Sequence, residues 1–163
     1  MDLLDRILEH DHWATAHLLE LCRDLTDEQL DQPFDIGHRT LRETFDHMIY
    51  TIGFWTGFMV GQPIHPDRTT QDDDRSIVAM TERFERDYAT FASVARRTRD
   101  EQRWEETFID HWKLPVTFGG TIVQVPQHNV EHRAEMLHIL QRLGLPDVPE
   151  VDHLLWEHVS RGH

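Results

Sequence analysis

Four long segments of this chain carry apolar residues at the 3.6-residue period of an α-helix, and this pattern constrains the fold more than any other feature. The segments run from Leu3 to about Arg23, from Thr40 to Met59, from Asp72 to about Arg99, and from about Thr121 to Leu143. An apolar stripe of this kind is stable in water only when it packs against another element. We therefore predict an all-α fold, a four-helix bundle.

The remaining segments are shorter. Glu105 to Asp110 and Lys113 to Thr117 predict two short strands around a turn, which form a small β-hairpin inserted before the last long helix. Pro149 to Val159 predicts a short C-terminal helix, and Gly61 to Thr70 predicts a loop. Because no repeat or linker divides the sequence, we predict a single domain over residues 1–163.

The last long helix places two histidines in its apolar stripe. His128 and His132 are one turn apart on the predicted inward face, whereas Glu135 falls on the opposite face. Two imidazoles at positions i and i+4 can bind one divalent ion from a single rigid element, so the pair predicts a metal site. The alternative is that each is a buried histidine with a hydrogen bond to a neighbour.

His47, on the second long helix, is the candidate third metal ligand. It lies on the flank of an apolar arc that covers most of that helix, so it is either hydrogen-bonded in the core or a ligand. Three neutral imidazoles would leave the ion at least one open coordination position, which is typical of catalytic ions. Such an ion can lower the pKa of bound water to about 7, or hold a thiol as thiolate. Zinc and nickel suit these ligands.

Three other residues near the predicted site have two interpretations each. Arg133 follows a predicted ligand and could contact an anionic group of a substrate or form a salt bridge. Asp11 and His17, beside the stripe of the first helix, could support the ligands, but we favour solvated positions at the edge of the stripe. Pro126 predicts either that the last long helix begins near Gln124 or that it bends just before His128.

Composition excludes several classes of function. Thirty acidic residues face 16 basic ones, and a net charge of -14 disfavours nucleic acid and anionic membranes as partners. No apolar run approaches the roughly 20 residues that a membrane-spanning helix needs. Cys22 is the only cysteine, which excludes an internal disulfide framework. With no signal-peptide pattern at Met1 to Asp5, these features predict a cytoplasmic protein.

The sequence resembles the DinB family, a group of damage-inducible-type proteins with a metal-binding four-helix bundle. The residues that carry the resemblance are His47, the run His128-x-x-x-His132-Arg133, Trp13, Trp55, and Leu143-Gly144 followed by Pro149 and Asp152. Members often continue His-Arg with Gly-Gln or Gly-Glu, where this chain has Ala134-Glu135. The added methyl group leaves the predicted ligands untouched but could alter helix packing beside them.

The resemblance implies an up-down-down-up bundle and frequent homodimers, for which Gly53 and Gly57 could admit a close neighbour. Some members look like metal-dependent hydrolases, and others transfer or isomerise groups with a low-molecular-weight thiol. We therefore expect a metal-dependent enzyme that acts on a small molecule. The alternatives are a non-catalytic metal-binding stress-response protein in which the ion is structural, and a helical interaction module without metal.

Overall fold

The computed structural model describes residues 1–63 and 74–162, and most of these residues are helical. The helices are α1 (Leu3–Leu21), α2 (Asp27–Leu30), α3 (Leu41–Met59), α4 (Ile77–Asp100), α5 (Phe118–Arg142) and α6 (His153–Ser160). The strands are β1 (Thr107–Ile109) and β2 (Pro115–Thr117), which pair antiparallel. The predicted all-α class with a small hairpin is confirmed. The predicted loop at Gly61 to Thr70 and the predicted helix start at Asp72 fall largely outside the described residues.

Each helix begins where a short polar side chain can accept a bond from a free backbone N–H group. Thr40, for example, caps α3 by accepting from the Glu43 N–H at 3.0 Å. Ser76 caps α4 in the same way, so this helix begins at Ile77, several residues after the predicted start. The other caps are Asp2 for α1, Thr26 for α2, Thr117 for α5 and Asp152 for α6.

The start of α5 differs from the prediction. We expected the helix to begin near Thr121 or Gln124, but it begins at Phe118 because the Thr117 hydroxyl accepts from the Gly120 N–H at 3.0 Å. Pro126 consequently lies inside the helix rather than in its first turn. Its ring carries no N–H, so the helix lacks one backbone bond in the turn before His128.

The four long helices pack around a shared apolar core. α3 contacts α4 and α5, and α1 contacts the same two helices. Apolar periodicity predicts six inward residues on α4, and all six are buried: Ile77, Met80, Phe84, Tyr88, Phe91 and Ala95. The rings of Phe84 and Phe91 are fully covered. Burying one such ring stabilises the fold by about 1.5–3 kcal/mol. Ile7 lies in the apolar stripe of α1, which periodicity predicts to face the core, but it is 39% exposed and borders a cavity of about 590 Å³ between α1 and α5.

Candidate metal centre

Four histidines from three segments meet where α3 packs against α5. His47 comes from α3, His128 and His132 come from α5, and His38 comes from the loop that precedes α3. The structure therefore brings together the three residues that the sequence singled out. The structure also adds a fourth histidine, His38, which the sequence did not single out.

The ring nitrogens of the three predicted residues are close enough to share one ion. His128 Nε2 lies 3.2 Å from His47 Nε2 and 3.0 Å from His132 Nε2. The Nε2 atom of a neutral imidazole carries either one proton or one lone pair, so it cannot make two good hydrogen bonds at once. Around a tetrahedral zinc ion with bonds of 2.0–2.1 Å, ligand nitrogens are about 3.3 Å apart. Both observed distances are close to this value, so the spacing is compatible with a shared divalent ion.

Glu135 fixes the orientation of one predicted ligand. Its Oε2 atom lies 2.8 Å from His132 Nδ1, and because a carboxylate only accepts, Nδ1 carries the proton and donates it. The lone pair of His132 is then on Nε2, the atom that faces the other histidines. Our expectation that Glu135 points away from the site was wrong. At three residues beyond His132 its long side chain reaches back across one helical turn.

Gly37 makes room for this carboxylate. A Cβ atom at position 37 would collide with the Glu135 carboxylate group. The backbone of Gly37 is also left-handed, with φ of +44°, a conformation that side chains disfavour. The loop before α3 and the last turns of α5 are therefore fitted to each other around His132.

His38 stacks on His47, with ring centroids 3.9 Å apart and planes inclined by 28°. The ring nitrogens of His38, His47 and His132 can all lie within 4.8 Å of one another, so these three also form a group that could hold an ion. Sequence periodicity missed His38 because it lies in a loop, where no helical spacing relates it to the other histidines. Its only local signal is the preceding glycine.

Burial favours the neutral form of three of the four histidines, His38, His47 and His128. It is the largest cause that lowers the pKa of His47 to about 3 and that of His128 to about 4, and the neighbouring histidines lower both further. Burial also lowers the pKa of His38, as does His132. A neutral imidazole has a free lone pair, so the nitrogens are ready to bind a cation at neutral pH.

Arg133 is buried on the other side of α5, away from the histidines. Its guanidinium pairs with Asp11 and lies 3.0 Å from the Thr15 hydroxyl, and the Asn129 amide donates to Asp11 at 2.8 Å. The salt-bridge interpretation of Arg133 fits this geometry. The interpretation of Asp11 that we favoured was wrong, because Asp11 is 1% exposed beneath α5. His17 is exposed, as we favoured, and stacks on Trp13.

A family model described as the DinB family matches residues 1–160. The chain belongs to the DinB family. No curated protein matches it.

Ala134 stands where members of the family often have glycine. Its methyl group does not disturb helix packing, because Ala134 is exposed. The next residue, Glu135, turns toward the site. Within residues 1–63 and 74–162, the DinB chain has no helix that is both long and apolar enough to cross a membrane.

Proposed function

We propose that this DinB protein binds one divalent ion, zinc or nickel, through His47, His128 and His132. The observation that carries the proposal is the contact of His128 Nε2 with the Nε2 atoms of both other rings, at 3.2 and 3.0 Å. We prefer His128 to His38 as the third ligand because the ring of His38 is stacked face to face on His47. The lowered pKa values of His47 and His128 favour neutral rings, and the Glu135 contact engages Nδ1 of His132, which leaves its Nε2 atom facing the other histidines.

We further propose that the ion is catalytic and that the protein is a thiol-dependent transferase or a hydrolase acting on a small molecule. An ion held by three imidazoles would supply an activated water molecule or hold a thiol as thiolate. The protein's own contribution is to favour the neutral forms of His47 and His128 by burial and to orient the His132 ring through Glu135. It supplies no charge directly to the ion, so an anionic group would be attracted to the open position.

The alternative function is a non-catalytic metal-binding stress-response protein in which the ion joins parts of the fold. One observation favours it: the candidate site links α3, α5 and the loop that carries His38, so an ion there would tie three segments together. A structural ion would make the stability of the protein depend on metal. A catalytic ion would not, because the helices already bury an extensive core.

The proposed architecture is the up-down-down-up bundle with a crossover between α3 and α4. It is supported by the pattern of contacts, in which α1 and α3 each touch both α4 and α5.

We also propose a homodimer, since Gly53 and Gly57 line a groove of about 300 Å³ between α3 and α4. Light scattering that gives the monomer mass over a wide concentration range would exclude the dimer. A cytoplasmic location stays a proposal that rests on the single, unpaired and buried Cys22.

Metal content and thermal unfolding together test the function. Elemental analysis of the wild type should give about one zinc or nickel ion per chain, and His132→Ala should lose it. His138→Ala is the matched control, because His138 is an exposed histidine on the same helix. If the ion is catalytic, chelator should change the melting temperature little while it abolishes turnover in screens of thiol transfer and hydrolysis. A large chelator-dependent fall in melting temperature without any turnover would favour the structural alternative.

A further inference from the structure

We infer that His38 is a fourth ligand of the proposed ion and that a small thiol displaces it. The inference rests on the proposed metal site and says how its remaining position is occupied. Before the thiol arrives, the His38 ring turns off the ring of His47 and fills that position. The bond between the ion and the His38 nitrogen then breaks, a bond between the ion and the thiol sulfur forms, and the thiol proton passes to solvent.

The His38 ring lies near enough to reach the proposed ion, because ring nitrogens of His38, His47 and His132 lie within 4.8 Å of one another. Two imidazoles bound to one tetrahedral zinc ion have ring centroids about 5.2 Å apart. The observed distance between the centroids of His38 and His132 is 5.1 Å, close to that value. The distance to His47 is only 3.9 Å, because these two rings are stacked. His38 must therefore leave the stack to bind, which makes it the most weakly held of the four.

The backbone around His38 is built to turn this residue inward. Gly37 and Arg39, on either side of it, both have left-handed backbones, with φ of 44° and 75°. Arg39 is not a glycine, so its conformation costs free energy, and such strain is concentrated at functional sites. The loop is closed by a bond from the Phe34 N–H to the Arg39 carbonyl at 2.7 Å. The loop thus presents His38 to the other histidines.

The same loop explains why His38 is displaceable when the other ligands are not. His47, His128 and His132 project from long helices that pack against each other, so their positions are fixed. His38 lies in a loop, whose backbone can shift without unpacking a helix. A fourth neutral imidazole also leaves the full charge of the ion in a half-buried site. A thiolate removes one unit of that charge, so the exchange is electrostatically favourable.

Cobalt(II) tests the inference, because its visible absorption reports coordination number and a bound thiolate adds a charge-transfer band. The chelator-treated wild type, His38→Ala and the exposed-histidine control His138→Ala are titrated with cobalt(II), and then with 2-mercaptoethanol. His38→Ala should weaken cobalt binding by at least about tenfold, because losing even a group that only supports a ligand typically costs about 10- to 100-fold in metal affinity. It should also lower the thiol concentration that gives half of the charge-transfer band, because no internal ligand competes. His138→Ala should match the wild type in both titrations.

The outcomes separate this inference from the proposed function. If His38→Ala matches the wild type in both titrations while His132→Ala no longer binds cobalt, His38 is not a ligand and the three-histidine site stands. If His38→Ala binds no cobalt although its circular dichroism spectrum is native, His38 is a permanent ligand and the displacement is refuted. If His132→Ala binds cobalt as the wild type does, the proposed function itself fails.

Discussion

Replacing Asp11 with alanine should destabilise this protein strongly, because it leaves the positive charge of Arg133 buried without the carboxylate that neutralises it. Asp11 is 1% exposed and Arg133 is 3% exposed, so the charge of Arg133 is largely shielded from solvent when the carboxylate is lost. The Asn129 amide, which donates to Asp11 at 2.8 Å, loses its acceptor in the same variant. Removing one member of a buried ion pair costs about 3–5 kcal/mol.

This cost is a large part of the stability of a typical domain, which is about 5–15 kcal/mol. For a chain of this size, 1 kcal/mol corresponds to roughly 2–4 °C, so the melting temperature should fall by about 6–20 °C. Urea unfolding of the metal-free protein should show a lower midpoint with an unchanged slope. The matched control is Asp35→Ala, which removes a carboxylate from the solvent-exposed pair of Asp35 with Arg142. Its midpoint should stay close to that of the wild type, because an exposed pair is screened by water.

A second variant separates the unpaired charge from the lost side-chain volume. Replacing both partners with apolar residues, Asp11→Leu with Arg133→Met, removes the buried charge altogether and should recover much of the stability. An Asp11→Ala midpoint as close to the wild type as that of Asp35→Ala would refute the reasoning. So would a double variant that is less stable than Asp11→Ala alone, because the loss would then come from packing.

Two further predictions concern the histidines. Glu135→Gln keeps a hydrogen-bond acceptor for His132 but removes the negative charge of Glu135, so zinc affinity should fall by about 10- to 100-fold. Competition titration with a chromophoric chelator measures this affinity. An unchanged value would mean that Glu135 does not support His132 as a ligand. In the folded protein the pKa of His47 is lowered to about 3 and that of His128 to about 4, whereas both are about 6.5 in the unfolded chain. Between the folded and the unfolded pKa values, the unfolded chain therefore binds more protons than the folded protein. The stability of the metal-free protein should therefore be full above pH 6.5 and fall as the pH drops toward 4, as thermal unfolding measured at each pH would show. His47→Ala should flatten this dependence; an equally steep dependence in that variant would contradict the assignment.

Local sequence rules predicted the helices and most of the candidate site. Apolar periodicity located all four long helices, and the i, i+4 spacing of His128 and His132 on α5 put both rings on one face. His47 followed from its place beside the apolar arc of α3. These features are local, since they depend on a single helix and the periodicity of its side chains.

The features that the sequence did not reveal depend on distant parts of the chain. The burial of Asp11 requires Arg133, which is 122 residues away, and helical periodicity alone placed Asp11 at the edge of a stripe. The start of α5 was missed because Gly119 and Gly120 disfavour helix, whereas the Thr117 cap offsets that cost. His38 reaches the site only because its loop folds back onto α3 and α5, a contact that no periodic pattern encodes.

X-ray absorption at the zinc edge of the zinc-loaded protein tests the central claim most directly. The account predicts a first shell of nitrogen from three or four imidazoles at about 2.0–2.1 Å, the zinc–histidine bond length. In His128→Ala this shell should be lost together with the bound zinc, whereas in His138→Ala it should be unchanged. A first shell without imidazole nitrogen, or a zinc shell that persists unchanged in His128→Ala, would contradict the claim that His47, His128 and His132 form a metal site.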